Sequence, residues 1–283
     1  MDNLNKKLTI FMIAYHSNYN IEKIIKQINK NIKIIIVENS NLLETKNYFE
    51  SRYHNINVIL CEKNSGVSVA NNIAFRKITT PYALYLDMDV DFNVNIIPKF
   101  IDYAEKINKL ALLVPQHHKS QYPKNWEYTP EEKNHDLVRM NKVHGHFALY
   151  NMQAVRDIDY FDEKIFFYFD ETDFCTRVVK KNYKIYLLKN MYVNHIGGVS
   201  YTEDLQKKFD VLRHWHYMWG KFYYHKKHFG VLNAYFTTMP DFLESIIKMC
   251  IFYFLNKNKF NIFKNKFLGL LNAFLGKTSW KRP

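Results

Sequence analysis

Between residues 8 and 114 the chain alternates continuous apolar runs with stretches that are apolar on one side only. LTIFMIA (8–14), IKIIIV (32–37), NVIL (57–60), YALYL (82–86) and LALLV (110–114) have the length and apolar continuity of buried strands. IEKIIKQI (21–28) sets Ile21, Ile24, Ile25 and Ile28 on one helical face, and helices are also predicted through VSVANNIAFRK and from about Asn95 to Lys106. Strands alternating with helices predict an α/β fold, a parallel sheet with both faces covered. Ligands of such sheets bind beyond the carboxyl ends of the strands, and DMDVD (87–91) follows one of those ends.

Residues 116–143 lack apolar periodicity and carry Pro123 and Pro130, which predicts a long loop of the functional or mobile kind. HFALY (146–150) and KIYLL (184–188) read as further strands, with a helix between them in FFYFDETDFCTR (166–177). After residue 204 the pattern changes, so the expected domains are an α/β body over 1–204 and a helical extension over 205–283. RHWHYMWGKFYYHKKHFG (213–230) interleaves aromatics with His and Lys, and DFLESIIKMCIFYFL (241–255) is apolar but broken by Glu244 and Lys248. A bilayer span needs about 20 apolar residues, so the run predicts helices lying in a membrane interface, with lysines reaching the headgroups.

Charge sharpens that division. The formal net charge is +13, yet residues 1–204 hold 26 Lys/Arg against 24 Asp/Glu while residues 205–283 hold 14 against 3. The extension must therefore meet something anionic or present a solvated face. Three cysteines, Cys61, Cys175 and Cys250, are too scattered for a disulfide framework or zinc ribbon and point to a reducing compartment. The N-terminal stretch reads as no signal peptide, so a cytoplasmic location is expected.

Five stretches carry candidate chemistry. Asp87 and Asp89, one residue apart at a strand end, can face one cation, and oxygen ligands suit Mg2+ or Mn2+ bridging a diphosphate. Asp91 is either a third acid or a helix N-cap. In NSGVSVANN (64–72), Gly66 allows a tight strand-to-helix turn and Asn64 can bond backbone or ligand; dinucleotide and P-loop fingerprints are absent. In VENS (37–40), Glu38 either accepts bonds from a ribose or base edge or caps the next helix. In FFYFDETDFCTR, Asp170 suits a helix N-terminus and Asp173 pairs with Arg177 at i and i+4, which leaves Glu171 beside aromatics as a general-base candidate. His195, in VNHIGGVSY (193–201), is either structural or a ligand.

In this order and spacing the segments resemble the family 2 glycosyltransferases of GT-A fold, with the rhamnosyltransferase-like bacterial members the most similar subgroup. The resemblance implies a nucleotide site at Ala14, Tyr15 and His16 of IAYHS, Glu38, Asn64, Gly66, Asn72 and Met88. It implies metal ligation by Asp87, Asp89 and His195, and a catalytic base at Glu171, the second acid of the pair, or at Asp170, because this chain has Asp170-Glu171 where the family commonly has Glu-Asp. His144, Gly145 and His146 match the acceptor-side segment, with Asp173 and Arg177 positioning the loop. FDE at Phe161–Glu163 matches the approach to the base. The implied activity is metal-dependent inverting transfer of a sugar from a nucleotide-diphosphate donor (a UDP- or dTDP-sugar) to a glycan or lipid-linked acceptor. Surface polysaccharide such as lipopolysaccharide or capsule is the implied product, made by an enzyme peripheral on the cytoplasmic membrane face. The rival expectation is nucleic-acid binding through the basic aromatic extension, against which stands the absence of a recognisable nucleic-acid module.

Overall fold

The computed structural model describes residues 3–16, 18–118, 122–128, 136–195 and 203–282. In chain order the elements are α1 (Leu4–Lys7), β1 (Leu8–Ala14), α2 (Asn18–Ile25), β2 (Lys33–Glu38), α3 (Leu43–Arg52), β3 (Ile56–Leu60), α4 (Val67–Lys77), β4 (Tyr82–Leu86), β5 (Val90–Asp91), α5 (Ile96–Lys106) and β6 (Leu110–His117). There follow β7 (Leu137–Met140), β8 (Phe147–Asn151), α6 (Met152–Asp157), α7 (Asp170–Lys180), β9 (Lys184–His195), α8 (Glu203–Phe229), α9 (Val231–Leu255) and α10 (Lys257–Phe274). The chain divides into two compact units: a sheet unit within Met1–Ser65, Val69–Phe161 and Glu171–Ser200, and a helical unit within Gly66–Ser68, Asp162–Asp170 and Tyr201–Pro283.

The sheet runs β3-β2-β1-β4-β8-β6-β9-β5, with β7 also on β9. Strands β3, β2, β1 and β4 are parallel, as the alternating pattern predicts, and so are β6 and β9. Strand β8 is antiparallel to both β4 and β6, and β5 and β7 are antiparallel to β9, so the sheet is mixed. The sequence signal missed this because a continuous apolar run marks burial on both faces and says nothing about direction.

Alternation along β1 shows the two-sided core. Leu8, Ile10, Met12 and Ala14 face one cluster, with Ile21, Ile24, Ile25 and Ile28 from the α2 region and Phe100 from α5. Phe11 faces the other, where Phe75 of α4 meets it edge-on at 5.0 Å and Phe161 stacks on Phe75. Helix α5 buries Ile96, Ile97, Phe100, Ile101 and Ala104, the helical spacing that predicts it. Its N-cap position is Asn95, while Asp91 sits in β5 opposite Asn194. Asp91 is thus neither cap nor part of the acid cluster described below.

Two further expectations change. The loop drawn over 116–143 contains the end of β6 and all of β7, besides a short 3-10 turn at Lys124–Trp126; residues 119–121 and 129–135, with Pro130, lie outside the described residues. Strand β9 extends from the predicted 184–188 to His195, and this added length carries β5.

In the helical unit Trp215, Met218, Trp219 and Phe222 of α8 pack with Ala234 of α9 and Leu270 and Ala273 of α10. The aromatics of the HWHYMWG block are thus largely its core: Trp215 is 1 % exposed and Trp219 4 %. No helix among the described residues is long and apolar enough to cross a membrane.

Candidate active site

The site lies beyond the ends of β4, β6 and β9 and ahead of β8. Antiparallel pairing of β4 with β8 sets Leu86 opposite Phe147, so the residues just outside both strands, Asp87 and His146, meet. The Asp87 amide donates to the His146 carbonyl at 2.9 Å, and Asp87 Oδ2 lies 3.4 Å from His146 Nδ1. Pairing of β5 with β9 sets Val90 against His195 and brings His195 Nε2 to 3.0 Å from Asp89 Oδ1. The His146 and His195 rings stack with centroids 3.8 Å apart. One ligand atom each from Asp87, His146 and His195 lies within 4.8 Å of the others, a spacing that a single cation can bridge. Asp89 Oδ1 is buried, and apart from that ion contact no hydrogen-bond donor is aimed at it. A buried carboxylate oxygen in that condition favours a cation.

Electrostatics separates the imidazoles. Burial would lower His146, but its bond to Asp87 and the charges of Glu171, Asp87 and Asp89 outweigh burial and raise its pKa. Burial would raise Asp89, and the His195 contact reverses this to a lowered pKa. His117, at the end of β6, and His144 are pushed down to about 4, first by burial and then by neighbouring imidazoles, so both are neutral rings at pH 7. Tyr122 and Trp126 close one side: the His144 ring stacks on Tyr122 at 5.7 Å and tilts against Trp126 at 4.7 Å.

Glu171 enters from the first turn of α7. Its Oε1 accepts the Gly145 N–H at 2.7 Å. A Cβ at position 145 would come within 2.4 Å of that oxygen, so a larger residue there would push the Glu171 carboxylate out of this position. The expected Asp173–Arg177 pair forms, at 2.7 Å with Asp173 fully buried, and Arg177 also donates to the Ile158 carbonyl. Asp170 is the first residue of α7, as a helix start predicts, and is grouped with the helical unit. Just ahead of it Tyr168 and Phe169 both adopt positive φ, a strained arrangement costing about 1 kcal/mol or more per residue.

The nucleotide-side candidates divide by what they bond. Ala14 ends β1 and its carbonyl accepts from Asn39 N; Tyr15 and His16 follow, with His16 in a left-handed conformation (φ 52°) tied to Ser40 Oγ. Glu38 is fully buried and accepts the backbone N–H groups of Ser40 and Leu42, so it holds the turn into α3. Asn39, which the motif reading passed over, donates to Asn64 Oδ1 and accepts from Ser65, joining the ends of β2 and β3. Asn72 is buried with its amide donating to, and accepting from, the Phe161 backbone, a structural tie. Met88 packs in the core beneath the DMD turn. Gly66 belongs with the helical unit, where its φ of 86° and close approach to Phe166 precede the Val67 N–H bond to the Phe166 carbonyl. His117, Tyr122 and Trp126 escaped the sequence reading except as part of a long loop after a strand end.

Comparison with known proteins places this arrangement. A family model described as "Glycosyl transferase family 2" matches residues 9–159, more than half of the chain. The chain belongs to glycosyl transferase family 2. The match stops before α7 and β9, so it covers Asp87, Asp89 and His144–His146 but not Glu171 or His195. A curated relative, the "Low-salt glycan biosynthesis hexosyltransferase Agl10" of Haloferax volcanii, is 23 % identical over 196 residues, covering 63 % of this chain and 63 % of the relative's length. Among solved structures, the mannosyltransferase PcManGT of Pyrobaculum calidifontis in complex with GDP-Man and Mn2+ is similar at a TM-score of 0.59 and 10 % identity, covering 96 % of this chain and 88 % of that one. S. aureus TarS residues 1–349 gives 0.52 and 13 %, covering 96 % and 92 %. GalNAc-T7 with UDP, GalNAc and Mn2+ gives 0.55 and 13 %, covering 75 % of this chain and 50 % of that one. At these identities the structures establish the shared GT-A fold: a curled, mostly parallel sheet flanked by helices, here followed by C-terminal helices.

Proposed function

We propose that the chain is a metal-dependent glycosyltransferase that moves a hexosyl or rhamnosyl unit from a nucleotide-diphosphate sugar to a hydroxyl of a glycan or lipid-linked acceptor, with inversion. The observation that carries this reading is the cluster of Asp87, Asp89, His146 and His195 beside the Gly145–Glu171 contact, at the strand ends where α/β sheets hold ligands. The donor set fits a cation, and the buried Asp89 oxygen supports it. Asp87, His146 and His195 would hold the ion, and Asp89 would orient the His195 ring, as carboxylates behind metal-bound imidazoles do. A divalent cation bound there would offset the negative charge that develops on the departing diphosphate. Two imidazoles and one carboxylate favour Mn2+ over Mg2+ in affinity. His146 thus moves in this reading from the acceptor side to the metal, while His144 and Gly145 keep their place beside the base.

Glu171 takes the proton from the acceptor hydroxyl. The Gly145 N–H fixes one of its carboxylate oxygens, so the carboxyl is aimed before the acceptor arrives. Proton removal by a positioned base contributes roughly 100- to 10,000-fold. UDP- or dTDP-sugars are the donors favoured by the sequence resemblance, and UDP and GDP-Man are bound by proteins of the same fold. Peripheral contact with the cytoplasmic membrane face and a role in surface polysaccharide complete the reading, with the helical unit (expected over 205–283) as the membrane-facing part. Nucleic-acid binding loses support, because Trp215, Trp219 and Phe222, three of the rings the basic extension would offer for base stacking, are buried.

The experiment is a panel of nucleotide sugars assayed for hydrolysis and transfer with Mn2+ and with Mg2+, alongside nucleotide binding by Asp89→Ala and His146→Ala. Turnover of one donor with added metal, and weakened metal-dependent binding in both variants, is expected. Unchanged affinity in both variants would overturn the metal assignment.

A further inference from the structure

Helix α9 turns one face away from its neighbours, and that face is apolar along its whole length. Leu232, Phe236, Met239, Leu243, Ile247 and Phe254 recur at spacings of three, four and seven, one side of a helix. Leu232 is 82 % exposed, Phe236 86 % and Phe254 87 %. Exposed apolar surface of this extent on a chain otherwise well buried marks a contact site. The opposite side is the packed one, with Ala234, Thr238 and Ser245 buried.

Charge decides the occupant. Asp241 and Glu244, the acids of this helix, are both held by lysines, Lys221 and Lys248. Exposed Lys226 precedes the helix, and exposed Lys257 and Lys259 follow it, with Lys259 Nζ 5.0 Å from the Phe252 ring. An apolar face with cations at both ends and its acids paired complements an anionic, greasy surface. A second copy meeting the same face through a two-fold axis would set these lysines against themselves. At 25 residues the helix runs about 37 Å, and it is not apolar enough to cross a bilayer.

We propose that α9 lies flat on an anionic lipid surface, its Leu232–Phe254 face at the acyl boundary and Lys226, Lys257 and Lys259 among the headgroups. This rests on the peripheral membrane contact named above and assigns it to one helix face. In the aromatic-basic block of α8, by contrast, the Trp215, Trp219 and Phe222 rings are core, and Tyr217 and Phe229 are the large apolar side chains left exposed among its described residues.

Flotation of the full chain with phosphatidylcholine vesicles, with and without phosphatidylglycerol, tests it, together with Phe236→Asp, Phe254→Asp and a Lys257→Glu/Lys259→Glu double variant. The substituted side chains are all exposed or flank the stripe; circular dichroism and sedimentation report fold and oligomeric state. The wild type is expected to float with the anionic vesicles only, less so at high salt. Each Phe→Asp change should lower partitioning more than about tenfold, the scale of burying one aromatic side chain. Failure of the wild type to float overturns the membrane contact as a whole. Variants floating like the wild type overturn only the choice of face. A wild-type dimer that Phe236→Asp splits, without vesicle binding, would assign the face to a second copy. Nucleotide-sugar hydrolysis in vesicle-free buffer, measured on the same samples, judges the transferase reading separately.

Discussion

The sheet unit and the helical unit depart from ordinary burial in opposite senses. Beyond the strand ends the sheet unit buries groups that water would hold better: Asp89 is nearly enclosed, two histidines are kept neutral, and Asp173 is fully buried beside Arg177. In the helical unit α9 leaves in water a row of side chains that a core would hold better. Hydrophobic residues inside and polar residues outside is the cheap arrangement, so each departure costs stability that the rest of its unit must supply. Buried polar groups that converge on one point suit a small charged ligand. Exposed apolar groups spread along one line suit an extended surface. The geometry of the departure, point or line, distinguishes the two kinds of partner.

Several substitutions break or sharpen that contrast. The largest effect is expected at the point-like site: Glu171→Gln should lower transfer roughly 100- to 10,000-fold while donor and metal binding persist. Steady-state transfer and equilibrium nucleotide binding measure the two, and normal transfer would remove Glu171 as the base. Next comes a pair of changes within the helical unit. Trp219→Ala, in the core, should cost about 3–5 kcal/mol in urea unfolding, whereas Phe236→Ala on the exposed row should stay within about 0.5 kcal/mol. Equal costs would mean the row is not solvent-facing in the folded protein. Arg177→Met leaves the buried Asp173 carboxylate without its cation and should cost about 3 kcal/mol or more by the same measurement.

The smallest expected effect is a pH slope. His216 is buried between Ser279 and the Lys281 carbonyl, and burial lowers its pKa to about 4. Its folded pKa lies below the unfolded value near 6.5. As pH falls from about 6.5 toward 4 the unfolded chain takes up a proton that the folded chain refuses. Stability contributed by the neutral ring is therefore present above about pH 6.5 and is lost on acidification, at up to about 1.4 kcal/mol per pH unit. Unfolding titrations of His216→Asn should show a shallower slope over that range; an identical slope would mean that His216 does not titrate in this way.

Much of this was readable in the chain. Ile21, Ile24, Ile25 and Ile28 announce a helix and are all buried, though the helix itself ends at Ile25; the continuous apolar runs of β1 and β2 announce central strands. The spacing of Asp173 and Arg177 is itself a helical ion pair. The antiparallel strands were not readable, because direction is set by connections and by what already flanks the sheet. Glu38 and Asn72 illustrate a different loss: a polar residue at a strand end or helix face looks the same whether it waits for a ligand or holds a turn. Only the partners, Ser40 and Leu42 for the one and Phe161 for the other, reveal the structural role. His117, Tyr122 and Trp126 were hidden because their chemistry arises from assembly across strands.

The sequence by itself determined the periodicities, and with them the alternating α/β body, the basic helical extension and the acids packed at strand ends. Those are local properties, fixed by 2.0- and 3.6-residue repeats and by charge counts. Tertiary structure decided which histidine joins Asp87 and Asp89, since His146 and His195 are 49 residues apart and meet only because β8 pairs with β4 and β9 pairs with β5. It also decided which apolar residues of the extension are core and which are surface. Trp215, Trp219 and Phe222 of α8 and Leu232, Phe236 and Phe254 of α9 are all hydrophobic as letters, and packing of three helices leaves the first set enclosed and the second exposed.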